Sequence, residues 1–474
     1  MNKKIVILFL YAFIYTTLVQ GQINNQLTNE QKEWLTTANL HEKNGWIYLH
    51  IEGSPRERGF QYGYLLSGQI KESIRIITTV WEYRSAMKWE WLVNKAGEIF
   101  TPKIDSENIE ELDGMLNGLN AAGFTSSRNE LVTLNGFFEL VGYWWPTVKD
   151  TISTNSLVFK KQSCSSFIAT GSMTSDGGIV LGHNSMFGYY FPLPNLILDI
   201  LPERGHRILM QSFAGFIHSG TDFFITDAGL IGSETTIVDF FPFDEKGIPE
   251  FVRMRHATQY ASSIEEWCNI MKVQNNGGYA NAWLIGDIKT NEIARLELGL
   301  KYIGFEKKKD GFFTGSNVVE DLKILRFETR LNEINIKNFC VARKVRWKEL
   351  MKDYAGKIDL EIAKSLIADH YDAYLNKTEP DGRTLCMHGD LDAQLEGIDE
   401  PFYPLGTVDS KIIDSKMAKQ MSFLARWGSA CGTSFDAKSF LDEHPQYDWM
   451  DGLLKDRPTQ PWTTFKVGEI KWRK

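Results

Sequence analysis

Positive charge is in deficit here. The 474 residues carry 52 lysines and arginines against 60 aspartates and glutamates, a net charge of -8. The footprint that a nucleic-acid backbone or an anionic membrane surface needs is missing, and no nucleic-acid partner is expected. Neither G-x-x-x-x-G-K-[ST] nor a G-x-G-x-x-G after a strand occurs, and H-E-x-x-H, C-x-x-C and G-x-S-x-G are also absent. Phosphate, dinucleotide, common zinc and serine-elbow chemistries therefore lack a motif, and no cofactor is expected. Five cysteines are too few for a disulfide framework in a chain of this length, and their odd number leaves at least one thiol free. Cys386 and His388 are the closest Cys/His pair, but two candidate ligands do not make a tetrahedral site, so no metal is expected. Long hydrophobic runs are lacking too. The run from Ile5 to Tyr15 stops at eleven residues, whereas a membrane span needs about 20.

That short run follows Lys3 and Lys4 and gives way to Thr16, Thr17 and Val19-Gln20-Gly21, the pattern of a secretory signal peptide over residues 1–21. Secretion or a periplasmic location is expected. The whole sequence is 43% hydrophobic and 13% aromatic, enough for a large core, and no repeat or linker divides it. Pattern predicts a strand over 45–53, a long helix from Pro55 to Arg84, and a helix from Ser106, as N-cap, to Ala122, so that 22–163 reads as mainly helical. A hairpin follows, Cys164–Thr170 with Ile179–Asn184, and then strands near 223–226, 230–238, 282–287 and 293–298. Helical patterns return at 250–273, 320–333, 342–354 and 360–371, and an aromatic, proline-containing tail is expected to wrap the body as an ordered loop. Strands bounded by helices predict a layered α+β domain, with residues 164–474 as its body.

Cys164 stands where helix changes to sheet, between the small residues Ser163 and Ser165. A buried core cysteine is the ordinary reading of such a residue. Small neighbours leave room for rearrangement at the Ser163-Cys164 peptide bond, and His183 lies across the hairpin. A slip of one residue would turn His183 to the opposite face, so pattern alone leaves a Cys/His pairing open. Trp144 and Trp145 before Cys164, and Phe187, Tyr189, Tyr190 and Phe191 after the hairpin, could wall an acyl pocket or simply pack.

The run Cys164 to Phe187 with its Gly182-His183-Asn184 resembles the phospholipase B-like family. So do Ser219-Gly220-Thr221-Asp222-Phe223-Phe224, Gly229 to Ile237, and Gly278-Tyr279-Ala280-Asn281-Ala282-Trp283-Leu284-Ile285. That family is related to the isopenicillin-N acyltransferase-like N-terminal nucleophile (Ntn) hydrolases, and Gly53 to Gly63 is similar to the opening segment of the acyltransferase relatives. The resemblance implies a four-layer αββα sandwich and self-cleavage between Ser163 and Cys164. Cys164 would be the nucleophile, His183 would stand in the segment facing it, and Asn281 would be an oxyanion donor. Thr235 and Trp283 are further candidates for substrate contact. Related acyltransferases tend to carry an acidic residue shortly after the position of Asn184, where this chain reads Ser185-Met186. The activity implied is that of a secreted, self-processing cysteine hydrolase acting on a small acyl amide or a lipid-like acyl ester, with its N-terminal fragment remaining associated. The alternative is a non-catalytic extracellular binding protein that keeps the fold.

Overall fold

The computed structural model describes residues 27–152, 163–394 and 400–469. The expected signal peptide lies outside the described residues. In chain order the strands are β1 Asn39–Lys43, β2 Trp46–Gly53, β3 Ser163–Thr170, β4 Val180–Gly188, β5 Leu196–Pro202, β6 Ile208–Ser212, β7 Phe223–Thr226, β8 Leu230–Thr236, β9 Asn281–Asp287, β10 Glu292–Leu298, β11 Ile303–Lys308, β12 Gly311–Gly315, β13 Tyr371–Asp372, β14 Lys377–Thr378, β15 Leu405–Asp414, β16 Ser422–Trp427 and β17 Thr463–Lys466. A nine-stranded sheet runs β1-β2-β5-β6-β7-β8-β9-β10-β11, and a six-stranded sheet runs β12-β3-β4-β15-β16-β17.

Successive side chains of a strand point to opposite faces, and the apolar clusters show what each face meets. Ile168, Leu181 and Ile413 of the second sheet pack against Leu209, Ile225, Ile231 and Leu284 of the first. The other face of the first sheet, with Leu198, Met210, Phe224 and Ile285, meets helical residues such as Tyr62, Trp81, Met115 and Trp267. Phe167, Val180 and Ile412 on the outer face of the second meet Trp347, Met351 and Ile367. The result is α+β in four layers, αββα, as expected.

Several details differ from the pattern-based reading. The stretch from Pro55 to Arg84 is two helices, Pro55–Leu65 and Ser67–Ser85, because Leu66 leaves helical geometry (φ -110°, ψ 23°). The helix Ser106–Ala121 is capped by Asp105, whose carboxylate accepts from the Asn108 N–H at 3.0 Å. Ser263 caps a new helix, Ile264–Lys272, and so divides the expected 250–273 helix. β15, β16 and β17, where pattern marks no strand, form half of the second sheet, and the tail residues His444 to Trp462 run between β16 and β17. The strand expected over 45–53 is β2, Trp46–Gly53, and it runs parallel to β5, so the first sheet draws on both sides of Ser163.

Helices Pro55–Leu65 and Ser106–Ala121 approach backbone to backbone. A Cβ on Gly63 would lie 2.0 Å from the Met115 carbonyl oxygen, and one on Gly114 would lie 2.3 Å from that of Arg56. Beside this contact Glu111 Oε2 accepts from Arg58 Nε at 2.6 Å and from Arg255 Nη2 at 2.9 Å, all three side chains being buried. Removing one partner of such a network leaves buried charge uncompensated. Glu111→Ala is therefore expected to lower stability by about 3–5 kcal/mol, read as the shift in urea denaturation.

Candidate active site

The strand register settles what pattern could not. Cys164 is paired with Ser185 and Ser185 with Asp409, while Ser166 is paired with His183 and His183 with Lys411. All six share the parity of Ile168, Leu181 and Ile413, so this two-by-three polar patch faces the space between the sheets. A bulge between Thr407 and Asp409 sets the phase of β15, a common device for re-aiming side chains beside a site.

Lys411 Nζ donates to Asp409 Oδ1 at 2.5 Å and to Ser185 Oγ at 2.6 Å, and Gln211 Nε2 donates to Asp409 Oδ2 at 2.7 Å. The acid that β4 lacks after Asn184 thus arrives from β15, across from Ser185. His183 Nε2 lies 3.0 Å from the Glu234 carbonyl oxygen, which makes Nε2 the protonated nitrogen. Its Nδ1 is buried with no partner among the protein's groups. Burial, helped by Lys411, holds His183 well below the usual imidazole range, so it is neutral.

A second set of groups grips the backbone of Cys164. Its N–H donates to Asn317 Oδ1 at 3.2 Å, and Arg343 Nη1 donates to its carbonyl at 2.6 Å and to Ser165 Oγ at 2.8 Å. Arg343 Nη2 donates to the same Asn317 Oδ1 at 2.8 Å, and Asn317 Nδ2 donates to the Thr236 carbonyl at 2.8 Å. Arg343 is buried, and its hydrogen bonds run to carbonyl, amide, hydroxyl and sulfur acceptors rather than to a carboxylate. Burial lowers its pKa accordingly.

Asn281 is the register partner of Thr236, the residue that Asn317 holds. It is buried, and neither its Oδ1 nor its Nδ2 has a hydrogen-bond partner among the described residues. Such groups are rare in native interiors and call for a ligand, a water or a catalytic role. Asp222 and Glu234 form a buried carboxyl pair nearby. Burial, then Asp222, pushes Glu234 well up, so it stays protonated at neutral pH, and burial pushes Asp222 up to about 7. The Cys164 thiol is pushed up to about 12, first by burial and then by Asp222, while Lys411 acts in the opposite direction. In the uncut chain this thiol is not ionised at neutral pH.

The carboxyl pair makes a pH prediction. An unfolded aspartate titrates near about 3.9, below the folded value of about 7 for Asp222. The folded state therefore binds the extra proton in between, and stability falls as pH rises through that window. Asp222→Asn is expected to flatten this decline in thermal midpoint between pH 5 and pH 8, with little change at pH 4.

Thr235 packs under Gly315, where a Cβ would lie 2.5 Å from its Cγ2. Trp283 is fully buried against Trp267, with ring centroids 4.9 Å apart, and so occupies a core position. Of the aromatic residues after the hairpin, Phe187 and Phe191 lie 6.0 Å from the Phe138 ring, which also neighbours Phe213 at 5.8 Å and Tyr279 at 6.2 Å, whereas Tyr189 packs on Phe435 and Tyr190 on Tyr403. Asn317, Arg343, Asp409 and Lys411 escaped the sequence reading because they join the site from 153 to 226 residues along the chain. Asp222 and Glu234 lay within the stretches compared, but nothing local marks them as a pair. The two-ligand pair Cys386 and His388 is joined by His370 and Cys431 on the outer side of the second sheet.

The phospholipase B family model matches residues 107–303. The chain is 27% identical over 278 residues to a phospholipase B of Crotalus adamanteus, covering 52% of this chain and 48% of that one. It is 28% identical over 262 residues to an uncharacterised protein of Archaeoglobus fulgidus, covering 52% and 42%. A 91-residue stretch is 36% identical to the human putative phospholipase B-like 2, covering 18% and 15%. The matches thus span less than half the length of these relatives. Among solved structures, the conjugated bile acid hydrolase of Clostridium perfringens aligns over 65% of this chain and 98% of that one, at 12% identity and a TM-score of 0.33. Penicillin V acylase of Agrobacterium tumefaciens aligns over 56% and 83%, at 11% identity and a TM-score of 0.29. The stretch 107–303, which holds Cys164, His183, Asp222, Glu234 and Asn281, matches the phospholipase B family model, and over about half its length the chain is similar to a phospholipase B.

Proposed function

We propose that the protein is an exported cysteine hydrolase of acyl amides or acyl esters, activated by its own cleavage between Ser163 and Cys164. The observation that carries this reading is the dedicated setting of one residue: the N–H of Cys164 is held by Asn317, its carbonyl by Arg343, and its thiol faces Lys411 and Asp222. Any buried backbone needs partners, but here two buried side chains, an amide and a guanidinium, supply them.

In the first step the Cys164 sulfur attacks the Ser163 carbonyl carbon, the peptide C–N bond breaks, and the nitrogen takes a proton to become the α-amine. Water then hydrolyses the thioester, leaving a Ser163 carboxylate and a free Cys164 thiol. An α-amine has a reference pKa of about 7.7–8.0. The Arg343 guanidinium beside it disfavours a second positive charge, so the amine is neutral and can take the thiol proton. Asn317 Oδ1, already bonded to this nitrogen, orients it.

Attack on a substrate carbonyl then places negative charge on its oxygen, which the free Nδ2 of Asn281 can meet. The amine or alcohol leaves with the proton, and water resolves the acyl-thioester. The Phe138, Phe187, Phe213 and Tyr279 rings favour an apolar or aromatic acyl group. Intact mass and N-terminal sequencing of the purified protein test the proposal. Two associated fragments are expected, one beginning at Cys164. A single uncut chain that a thiol-reactive acyl probe does not label would instead support the non-catalytic binding protein.

A further inference from the structure

We propose that His370, Cys386, His388 and Cys431 form a structural zinc site on the outer side of the second sheet, independent of the chemistry at Cys164. One ligand atom from each lies within 4.8 Å of every other, and the set is buried or half-buried. His388 Nε2 is 3.5 Å from Cys386 Sγ and also 3.5 Å from Cys431 Sγ. A ring nitrogen carries either one proton or one lone pair, so it can make an ordinary hydrogen bond to only one of the two. A tetrahedral zinc with Zn–N near 2.0–2.1 Å and Zn–S near 2.3 Å has ligand-to-ligand edges of about 3.4–3.8 Å, which fits both contacts. His370 Nε2 is buried with no hydrogen-bond partner among the described residues, as a metal-ligand nitrogen would be.

The donor set selects the ion. Two sulfurs and two imidazoles suit zinc, whereas calcium and magnesium need oxygen ligands. Four protein ligands close the coordination sphere, which makes the site structural rather than catalytic. Cys431 sits in a turn whose Thr433 N–H points at its sulfur at 3.4 Å, with the Ser429 hydroxyl also at 3.4 Å. Such donors support a thiolate ligand. The site also has something to hold. Asn184, between His183 and Ser185, donates to the carbonyls of Ile367 at 2.7 Å and Leu385 at 2.9 Å, close to His370 and Cys386. Thr407, at the bulge that sets Asp409, donates its N–H to the Met387 carbonyl at 2.9 Å. The metal would pin the 368–394 segment against the strands that carry the polar patch.

Metal analysis of the full-length protein, expressed with added zinc and purified under reducing conditions, is expected to find about one zinc per chain. Replacement by cobalt should give the visible d–d and sulfur-to-metal charge-transfer bands of a tetrahedral sulfur–nitrogen site. His370→Gln and Cys431→Ser should each reduce bound zinc and remove those bands. If a variant fails to fold, the zinc content and cobalt spectrum of the unaltered protein still decide. Background zinc with no cobalt bands, undiminished zinc in both variants, or a Cys386–Cys431 disulfide in the native protein would overturn the proposal.

Discussion

Cys164→Ala is expected to leave the chain uncut at Ser163 and to reduce acyl hydrolysis by roughly 10⁴-fold or more, the scale on which removing a nucleophile acts. The fold should survive. Cys164 is a small buried side chain on β3, and losing one sulfur from a site lined by polar groups leaves little cavity, so the stability change should be about 1 kcal/mol. Cys164→Ser keeps a weaker nucleophile in the same place and should cleave slowly. Cys268→Ala is the matched control. Its thiol is also buried and pushed up to about 12, chiefly by burial, but it lies on the core face of helix Ile264–Lys272. Desolvation alone does not distinguish the two cysteines; the groups around the Cys164 backbone do. If both alanine variants were processed and active at the level of the unaltered protein, the cysteine mechanism would fail. If only Cys164→Ala were silent in N-terminal sequencing and in acyl turnover, it would hold.

The parts of the fold legible in the sequence are those built on an apolar run whose ends are marked. The hairpin of β3 and β4 has buried Phe167 and Ile168 on one strand and Val180 and Leu181 on the other, joined by a glycine-containing turn. By contrast β15 carries Asp409, Ser410 and Lys411, all buried, and reads as a polar segment until its partners are known. Those partners sit on β4, more than two hundred residues earlier. The same reason hid much of the site. Cys164 could be singled out by its position and neighbours, and His183 by the hairpin, but the pairing register belongs to the folded sheet and decides which face His183 takes. Asn317 and Arg343 carry no local motif at all. Their meaning comes from two hydrogen bonds to the backbone of one residue, Asn317 to the N–H and Arg343 to the carbonyl of Cys164.

Asn281→Ala is expected to lower kcat by roughly 10²–10³, equivalent to about 2.7–4 kcal/mol of barrier, while leaving the thermal midpoint nearly unchanged. The buried asparagines differ in what their amides bind. Asn184 and Asn317 spend their amides on the protein itself: Asn184 on two backbone carbonyls, Asn317 on Cys164, Arg343 and Thr236. Truncating either strands buried partners, which costs about 1–3 kcal/mol for each group left unsatisfied. Asn281 strands nothing, because its Oδ1 and Nδ2 bond to no protein group. Burying an amide without a partner is itself unfavourable, so alanine there should be neutral or slightly stabilising unless the amide serves a bound substrate. A donor that meets charge only as the tetrahedral intermediate forms should affect kcat and leave KM close to its original value. Asn317→Ala should show the opposite balance, losing stability and self-cleavage together. Loss of stability in Asn281→Ala with kcat retained would assign Asn281 to the scaffold and require the oxyanion donor to be found elsewhere.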